Sequence, residues 1–315
     1  MRLALLALAL AAVAASPAPL KGLAAVAEPQ TQTNPLAQQL VHVAEALDQP
    51  PVDARVDRVW HAIPGLCGWV LDIPQSERDT RASADGRLHL VWRSAPPEKR
   101  LADLPPEPIY RGPKEEKSAS LMFNVSWGEE SIPAILETLR KSGVKATFFL
   151  DGDWVDKHPD LAKRIAAEGH AIGSHGRGHP DFRRLSAAAQ EQNMASTNAS
   201  LRHTLGTTTD LFAPPAGSYD DRTVAAARRQ GMYTILWTLD TIDWRRPPAS
   251  VIVRRVEQGL EPGVLILMHP TPPTAEALPR ILEVLEKAGY RLKTVEAVVH
   301  EQRATVPPSV LRAGP

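Results

Sequence analysis

Ser174-His175-Gly176-Arg177-Gly178-His179-Pro180 holds two imidazoles four positions apart, directly after the apolar run Gly169-His170-Ala171-Ile172-Gly173. That spacing suits a metal, because neutral imidazoles are good donors to zinc and related transition metals. A solvated helix face or two hydrogen-bonded loop histidines would give the same spacing. Glycines at 176 and 178 disfavour a regular helix and point to a tight loop whose backbone turns both rings toward one point.

Working outward, short apolar runs alternate with amphipathic segments, the pattern of parallel βα units. Ile132, Ile135, Leu136 and Leu139 mark a first helix stopped by Gly143, and Ala146-Thr147-Phe148-Phe149-Leu150 is the next strand. Further strands are expected at 170–173, 210–213, 233–239 and 264–268. Helices are expected near 159–168, 186–204, 221–230, 247–258 and 275–288. Four more segments follow apolar runs in the same way: Phe123-Asn124-Val125-Ser126-Trp127-Gly128, Phe212-Ala213-Pro214-Pro215-Ala216-Gly217, Asp240-Thr241-Ile242-Asp243-Trp244 and Leu265-Ile266-Leu267-Met268-His269-Pro270. In a parallel barrel all such strand ends share one rim, where these folds place their chemistry. Periodicity alone does not separate a barrel from an open doubly wound sheet.

The five segments, in this order, resemble the motifs of the NodB-type polysaccharide deacetylases, carbohydrate esterase family 4, which read roughly T-F-D-D-G, H-[ST]-x-x-H-P, R-x-P-Y/F-G, D-x-x-D-W and L-x-H. The resemblance covers about residues 117 to 300, and it is closest to the sporulation-associated branch, whose small preceding domain resembles residues 52 to 112. It implies a distorted, incomplete (β/α) barrel, the NodB homology domain, preceded by a small α+β module. It also implies a divalent metal, zinc in the first instance, and removal of N-acetyl groups from a polysaccharide. Carried over by position, His175 and His179 would be metal ligands, His269 the general acid and Asp243 its partner. Trp244 and Leu267 would wall the acetyl pocket.

Three positions depart from the family pattern. Asn124 stands where the catalytic base belongs, Val125 where a third metal ligand belongs, and Ala213 where an Arg should hold the base. An amide does not titrate near neutral pH and a valine side chain has no donor atom. Gly176 and Ala216 also replace the usual Ser/Thr and Tyr/Phe, the latter in the cleft wall. Asp151 follows the strand 146–150 and is the candidate substitute base or ligand. Asp153, Glu129 and Glu130 lie near rim positions too, although each of these acids could equally be a solvated loop residue. Trp127, Trp154, Trp237 and Tyr219 are candidates for stacking on sugar rings, with core packing the alternative for Trp237.

Composition limits the partners. The chain has 315 residues, with 36 Lys and Arg against 36 Asp and Glu, so no basic footprint for nucleic acid is present. The length allows two modest domains. Cys67 is the only cysteine, which excludes an intramolecular disulfide or a thiolate cluster, and its apolar setting reads as an inert buried thiol. Residues 1–15 read as a signal peptide, 16–50 as a flexible linker and 51–102 as the small module. A Pro-rich connector follows at 103–116, then the deacetylase-like domain at 117–300 and a tail at 301–315. Within the module, Val56-Asp57-Arg58-Val59-Trp60 looks helical, while 68–72 and 88–92 read as strands.

Two functions compete at this point. One is an exported, metal-dependent hydrolase acting on peptidoglycan or a related N-acetylhexosamine polymer. The other is a catalytically silent glycan-binding protein of the cell envelope or spore with the same fold. Either is expected to be a monomer, secreted or extracytoplasmic, with no transmembrane segment once the signal is cleaved. The apolar run from Leu3 to Ala15 is shorter than the ~20 residues of a spanning helix and includes the small-x-small pattern Ala12-Val13-Ala14. The mature chain should therefore begin near Ala15 or Ser16. Mass spectrometry of the native extracellular protein checks this, and recovery of residues 1–14 would point to an uncleaved anchor.

Overall fold

The computed structural model describes residues 34–83 and 85–312. The expected signal peptide lies outside them. Among the described residues no helix is long and apolar enough to cross a membrane.

The first part of the chain builds the module. Helix α1 (Pro35–Leu47) is followed by β1 (Arg55–Asp57), β2 (His61–Ile63), β3 (Gly68–Leu71), α2 (Ile73–Ala82), β4 (Arg87–His89) and β5 (Trp92–Ala95). The second part is a βα array: β6 (Ser118–Val125), α3 (Ile132–Lys141), β7 (Thr147–Leu150), α4 (Gly152–Lys157), α5 (Pro159–Ala167), β8 (Ala171–Ser174) and α6 (Ala187–Leu205). It continues through β9 (Leu211–Phe212), α7 (Asp221–Arg229), β10 (Tyr233–Thr234), β11 (Leu239–Asp240), α8 (Ala249–Gln258), β12 (Val264–Met268), α9 (Pro272–Lys287), β13 (Arg291–Leu292), α10 (Val295–Val299) and β14 (Val310–Arg312).

Strands β6 to β13 form one parallel sheet in the order β10-β9-β8-β7-β6-β12-β11, with β13 also on β6. Helices α3, α8 and α9 cover one face, where Phe123, Val125, Ile135, Phe148, Leu150 and Ile266 share an apolar cluster. The inner face holds a second cluster that includes Met122, Phe149, Ala213, Ile235 and Leu267. The alternation of β6 between these clusters is the two-residue period of a strand buried on both faces.

The sheet curls but does not close on itself. The gap between β10 and β11 is filled by residues 109–111 of the expected connector. Ile109 is fully buried and bridges Ile235, and Arg111 bridges Val264. Ile109 N–H donates to Thr234 O and Leu236 N–H donates to Ile109 O, both at 2.8 Å. This segment is therefore part of the barrel wall, because a main chain with free donors and acceptors satisfies the open sheet edge.

The module differs from expectation in three places. The 16–50 segment is helical from Pro35, started by Asn34, whose side chain accepts from Leu36 N–H. Residues 56–60 are a strand and a turn rather than a helix, because Asp57 Oδ1 accepts from Val59 and Trp60 N–H and closes an Asx-type turn. The expected strand 88–92 splits in two: β4 pairs with β14 and β5 with β3. The 301–315 tail is thus integral to the module as far as Arg312.

A buried carboxylate ties the module to the barrel. Glu301 Oε1 accepts from Gly65 N–H and Leu101 N–H at 2.9 and 2.8 Å. Burial pushes the Glu301 carboxyl above its ordinary value, against the opposing pull of the two amides. A group with a raised folded-state pKa stabilises the fold fully below its unfolded value, and that contribution is lost as pH rises through the folded value. Glu301→Gln retains an oxygen acceptor for both amides. Its melting temperature relative to wild type should rise between about pH 4 and pH 7, and a constant difference would show that this carboxyl does not titrate with folding.

Candidate functional site

The strand ends converge on a cavity of about 440 Å³ lined by Asn124, Ser126, Trp127, His175, His179, Ala216, Trp237, Asp240, Trp244, Leu267 and His269. Of the sequence-derived catalytic, substrate and metal residues, Asp151 and Asp243 do not line it, and Asp243 lies behind His269.

The histidine loop is built by backbone geometry. Gly176 has φ +69°, and a Cβ there would meet Asn193 Oδ1 at 2.9 Å, so the Gly in place of Ser/Thr suits this turn. Asn193 brackets the loop, accepting from Arg177 N–H and donating to Arg177 O. His175 is buried, and its Nδ1 lies 2.7 Å from Ala213 O. A carbonyl only accepts, so Nδ1 carries the hydrogen and Nε2 keeps its lone pair. Burial pushes the His175 pKa down to about 3, which leaves the ring neutral as a metal donor requires. The His179 ring stands 5.3 Å from it, centroid to centroid, at 66°.

Asp151 is committed elsewhere. Its Oδ1 accepts from Asp153, Trp154 and Gly178 N–H, and its Oδ2 from His179 N–H at 3.1 Å. It caps α4 and holds the histidine loop through main-chain amides, and it does not line the cavity, where a substitute base or ligand is expected. Asp153 pairs with Arg177 at 2.7 Å. Trp154 is a core residue rather than a sugar platform, whereas Trp237 reaches the cavity and packs on Gly217.

The position of Val125 is also corrected. Its side chain is fully buried on the helix-covered face, while Asn124 and Ser126 face the cavity. Asn124 Oδ1 and Ser126 Oγ are buried without a hydrogen-bond partner. Two orphaned oxygens beside two imidazoles fit a divalent cation, and the four would hold it with neutral donors only. Among the described residues no cluster of three or more His, Cys, Asp or Glu surrounds the site. The family resemblance places the missing ligand at 125, whereas the residues that line the cavity here are 124 and 126.

The other wall carries a His–Asp pair. Asp243 is fully buried, and its Oδ1 lies 2.8 Å from His269 Nδ1. Its Oδ2 accepts from His269 N–H and Thr274 Oγ1–H, both at 2.6 Å. The carboxylate thus orients the ring so that Nε2 is left for the cavity. Trp127 lies parallel to the His269 ring, 5.9 Å away and 3° from coplanar. Gly128 makes that approach possible, since a Cβ there would fall 2.1 Å from Pro270 O. Ala216 and Ile242 both adopt positive φ, 53° and 54°, so strained backbone flanks the cleft on two sides.

These features agree with what the chain is similar to. The polysaccharide deacetylase family model matches residues 111–235. Over 271 residues the chain is 39% identical to the uncharacterized protein YlxY of Bacillus subtilis, covering 86% of this chain and 85% of that one. It is 31% identical over 194 residues to a peptidoglycan-N-acetylglucosamine deacetylase of Bacillus cereus, covering 60% and 70%. Among solved structures, a CE4 family pseudoenzyme of Bacillus anthracis, BA3943, aligns with a TM-score of 0.76 at 36% identity, covering 85% of this chain and 96% of that one. A mutant of BA3943 with restored enzymatic activity aligns with the same score at 35% identity, covering 85% and 99%. The chain belongs to the polysaccharide deacetylases, carbohydrate esterase family 4, with the curled parallel barrel of that family.

Adjacent positions at the C-terminal end of β6 give opposite expectations for one substitution. Ser126→Asp should tighten zinc binding about tenfold or more, the order of one charge-assisted contact. Val125→Asp should instead cost about 3–5 kcal/mol of stability, as an unpaired charge buried among apolar side chains does. Elemental analysis with thermal melts reads both, and a tighter metal in the Val125 variant would reverse the assignment.

Proposed function

We propose that the cavity is an N-acetylhexosamine site of the peptidoglycan-deacetylase kind, in an exported, metal-binding protein of the cell envelope, and that its hydrolytic chemistry is attenuated. The observation that carries this reading is the pairing of a complete acid dyad, Asp243 and His269, with an uncharged Asn124 facing the same cavity. His175, His179, Asn124 and Ser126 are the residues that would hold the cation. When bound it would polarise the acetyl carbonyl and acidify water.

Amide hydrolysis adds water to the carbonyl carbon, breaks the C–N bond and returns a proton to the leaving nitrogen. His269 is placed to deliver that proton from Nε2, since its Nδ1 is engaged by Asp243. Trp127, Trp244, Trp237 and Leu267 supply apolar walls for the sugar and its methyl group. Nothing at Asn124 takes a proton from water. Asp151 is poorly placed to replace it, because it accepts from four backbone amides and does not line the cavity.

A second reading, glycan binding without turnover, is favoured by that same engagement of Asp151 away from the cavity and by the likeness to a family pseudoenzyme. One set of rates separates them. Asn124→Asp is nearly isosteric, and with zinc supplied it should raise acetate release from N-acetylglucosamine oligomers by at least the ~10²-fold of a positioned general base. Measurable wild-type release that His269→Ala removes supports slow hydrolysis. Binding by the wild type without release supports the silent reading, and neither binding nor release by wild type and variant alike would remove both.

A further inference from the structure

Four aromatic rings lie where the module meets the barrel, and all are half-exposed. Tyr110 stacks on His61 at 5.8 Å and meets Trp60 edge-on at 6.4 Å. The Tyr110 and Tyr219 hydroxyls are 2.6 Å apart. The junction proper is sealed elsewhere, by Ile109, Glu301 and the buried Glu116–Lys293 pair, so these rings are not needed to exclude water from it.

The group is rigid and carries polar handles. The Arg111 guanidinium lies 5.3 Å over the Trp60 ring, and Arg111 is itself anchored on Glu261 at 3.1 Å and on Pro262 O. His61 Nδ1 lies 2.8 Å from Glu107 Oε2. In the tyrosine pair one hydroxyl donates to the other, which leaves one O–H hydrogen for a ligand. Burial raises the Tyr110 pKa well above its ordinary value, so that hydroxyl stays protonated. Flat apolar faces with hydroxyl and imidazole edges suit sugar rings, whose C–H faces stack while their hydroxyls find partners.

The rings are also continuous with the cleft. Tyr219 lies three residues beyond Ala216, which lines the cavity, and Gly217 between them packs under Trp237. Thr238, next to Trp237, donates from Oγ1 to Tyr110 O at 2.6 Å. We infer that Trp60, His61, Tyr110 and Tyr219 form a second platform that binds further sugar rings of an N-acetylhexosamine chain whose one residue occupies the cavity. The module then contributes directly to polymer recognition. This rests on the glycan reading of the cavity and adds a dependence on chain length.

The test is calorimetric titration of the full chain with N-acetylglucosamine oligomers from dimer to hexamer. Trp60→Ala with Tyr219→Ala should weaken the hexamer about tenfold and leave the dimer unchanged, since only the longer chain reaches the stacking rings beyond the cavity. Trp127→Ala, inside the cavity, should weaken dimer and hexamer alike. Hexamer affinity unchanged in a cooperatively melting Trp60/Tyr219 variant overturns the platform while the cavity reading stands. Failure of the wild type to bind any oligomer overturns the cavity reading instead. Should the alanine variant lose its cooperative melt, Trp60→Phe with Tyr219→Phe keeps the rings and drops their polar atoms. That pair should still weaken the hexamer about threefold or more, as loss of a hydrogen bond does, and an unchanged hexamer affinity there would equally overturn the platform.

Discussion

The two-residue period of β6 is the constraint on which the site depends. All eight residues of this strand are buried, with β7 on one side and β12 on the other. A slip of one residue would exchange its two faces, driving Phe123 and Val125 out of the helix-covered layer and Asn124 out of the cavity. Register is therefore fixed by apolar packing, and the chemistry inherits it. Asn124 and Ser126 face inward because Phe123 and Val125 must face outward.

Around that strand, buried carboxylates are spent on holding backbone in place. Asp243 has both oxygens engaged by His269 and Thr274, and Asp151 accepts from four main-chain amides. Three of the amides converge on Asp151 Oδ1 and one on Oδ2, so the carboxylate faces the backbone of α4 and the histidine loop and does not line the cavity. The asymmetry of the site follows. Asp243 presents a histidine whose other nitrogen remains free. Asp151 presents only the backbone of the histidine loop, and the inward residue of β6 is an amide. Mutual consistency of Asn124 and Ala213 has the same origin, because an arginine at 213 would lie in the inner apolar cluster without a partner charge.

Much of this was legible in the sequence, for identifiable reasons. The βα alternation, the helices α3 and α5 to α9 and the five rim segments follow from apolar periodicity and glycine stops, and the ordered motifs single out His175, His179 and His269, which line one cavity, with Asp243 behind the last. What escaped depends on direction rather than on residue type. Consecutive positions 124 and 125 look equivalent in a motif, and only strand pairing as far as Val125–Leu150 shows that they point oppositely. Asp151 looks like a rim acid until its amide partners, which carry no sequence signature, are placed around it. Trp154 and Trp237 exchange roles because a short helix turns the first into the core while a break between β10 and β11 leaves the second facing the cleft. In the module, strands of three or four residues are too short for periodicity to distinguish from turns.

The connector shows why the two parts of the chain act as one surface. A proline-rich segment reads as a spacer, since proline removes donors and disfavours regular structure. Here the residues between the prolines, Ile109 to Arg111, keep their donors and acceptors and use them on both edges of the open barrel. The same three residues bridge β2 of the module through His61 and present Tyr110 toward Tyr219 and Thr238. A barrel that closed by its own strands would have no need of this segment. Because it closes with the connector, the module is held beside the cleft wall, and the aromatic side chains at that junction are contributed by both.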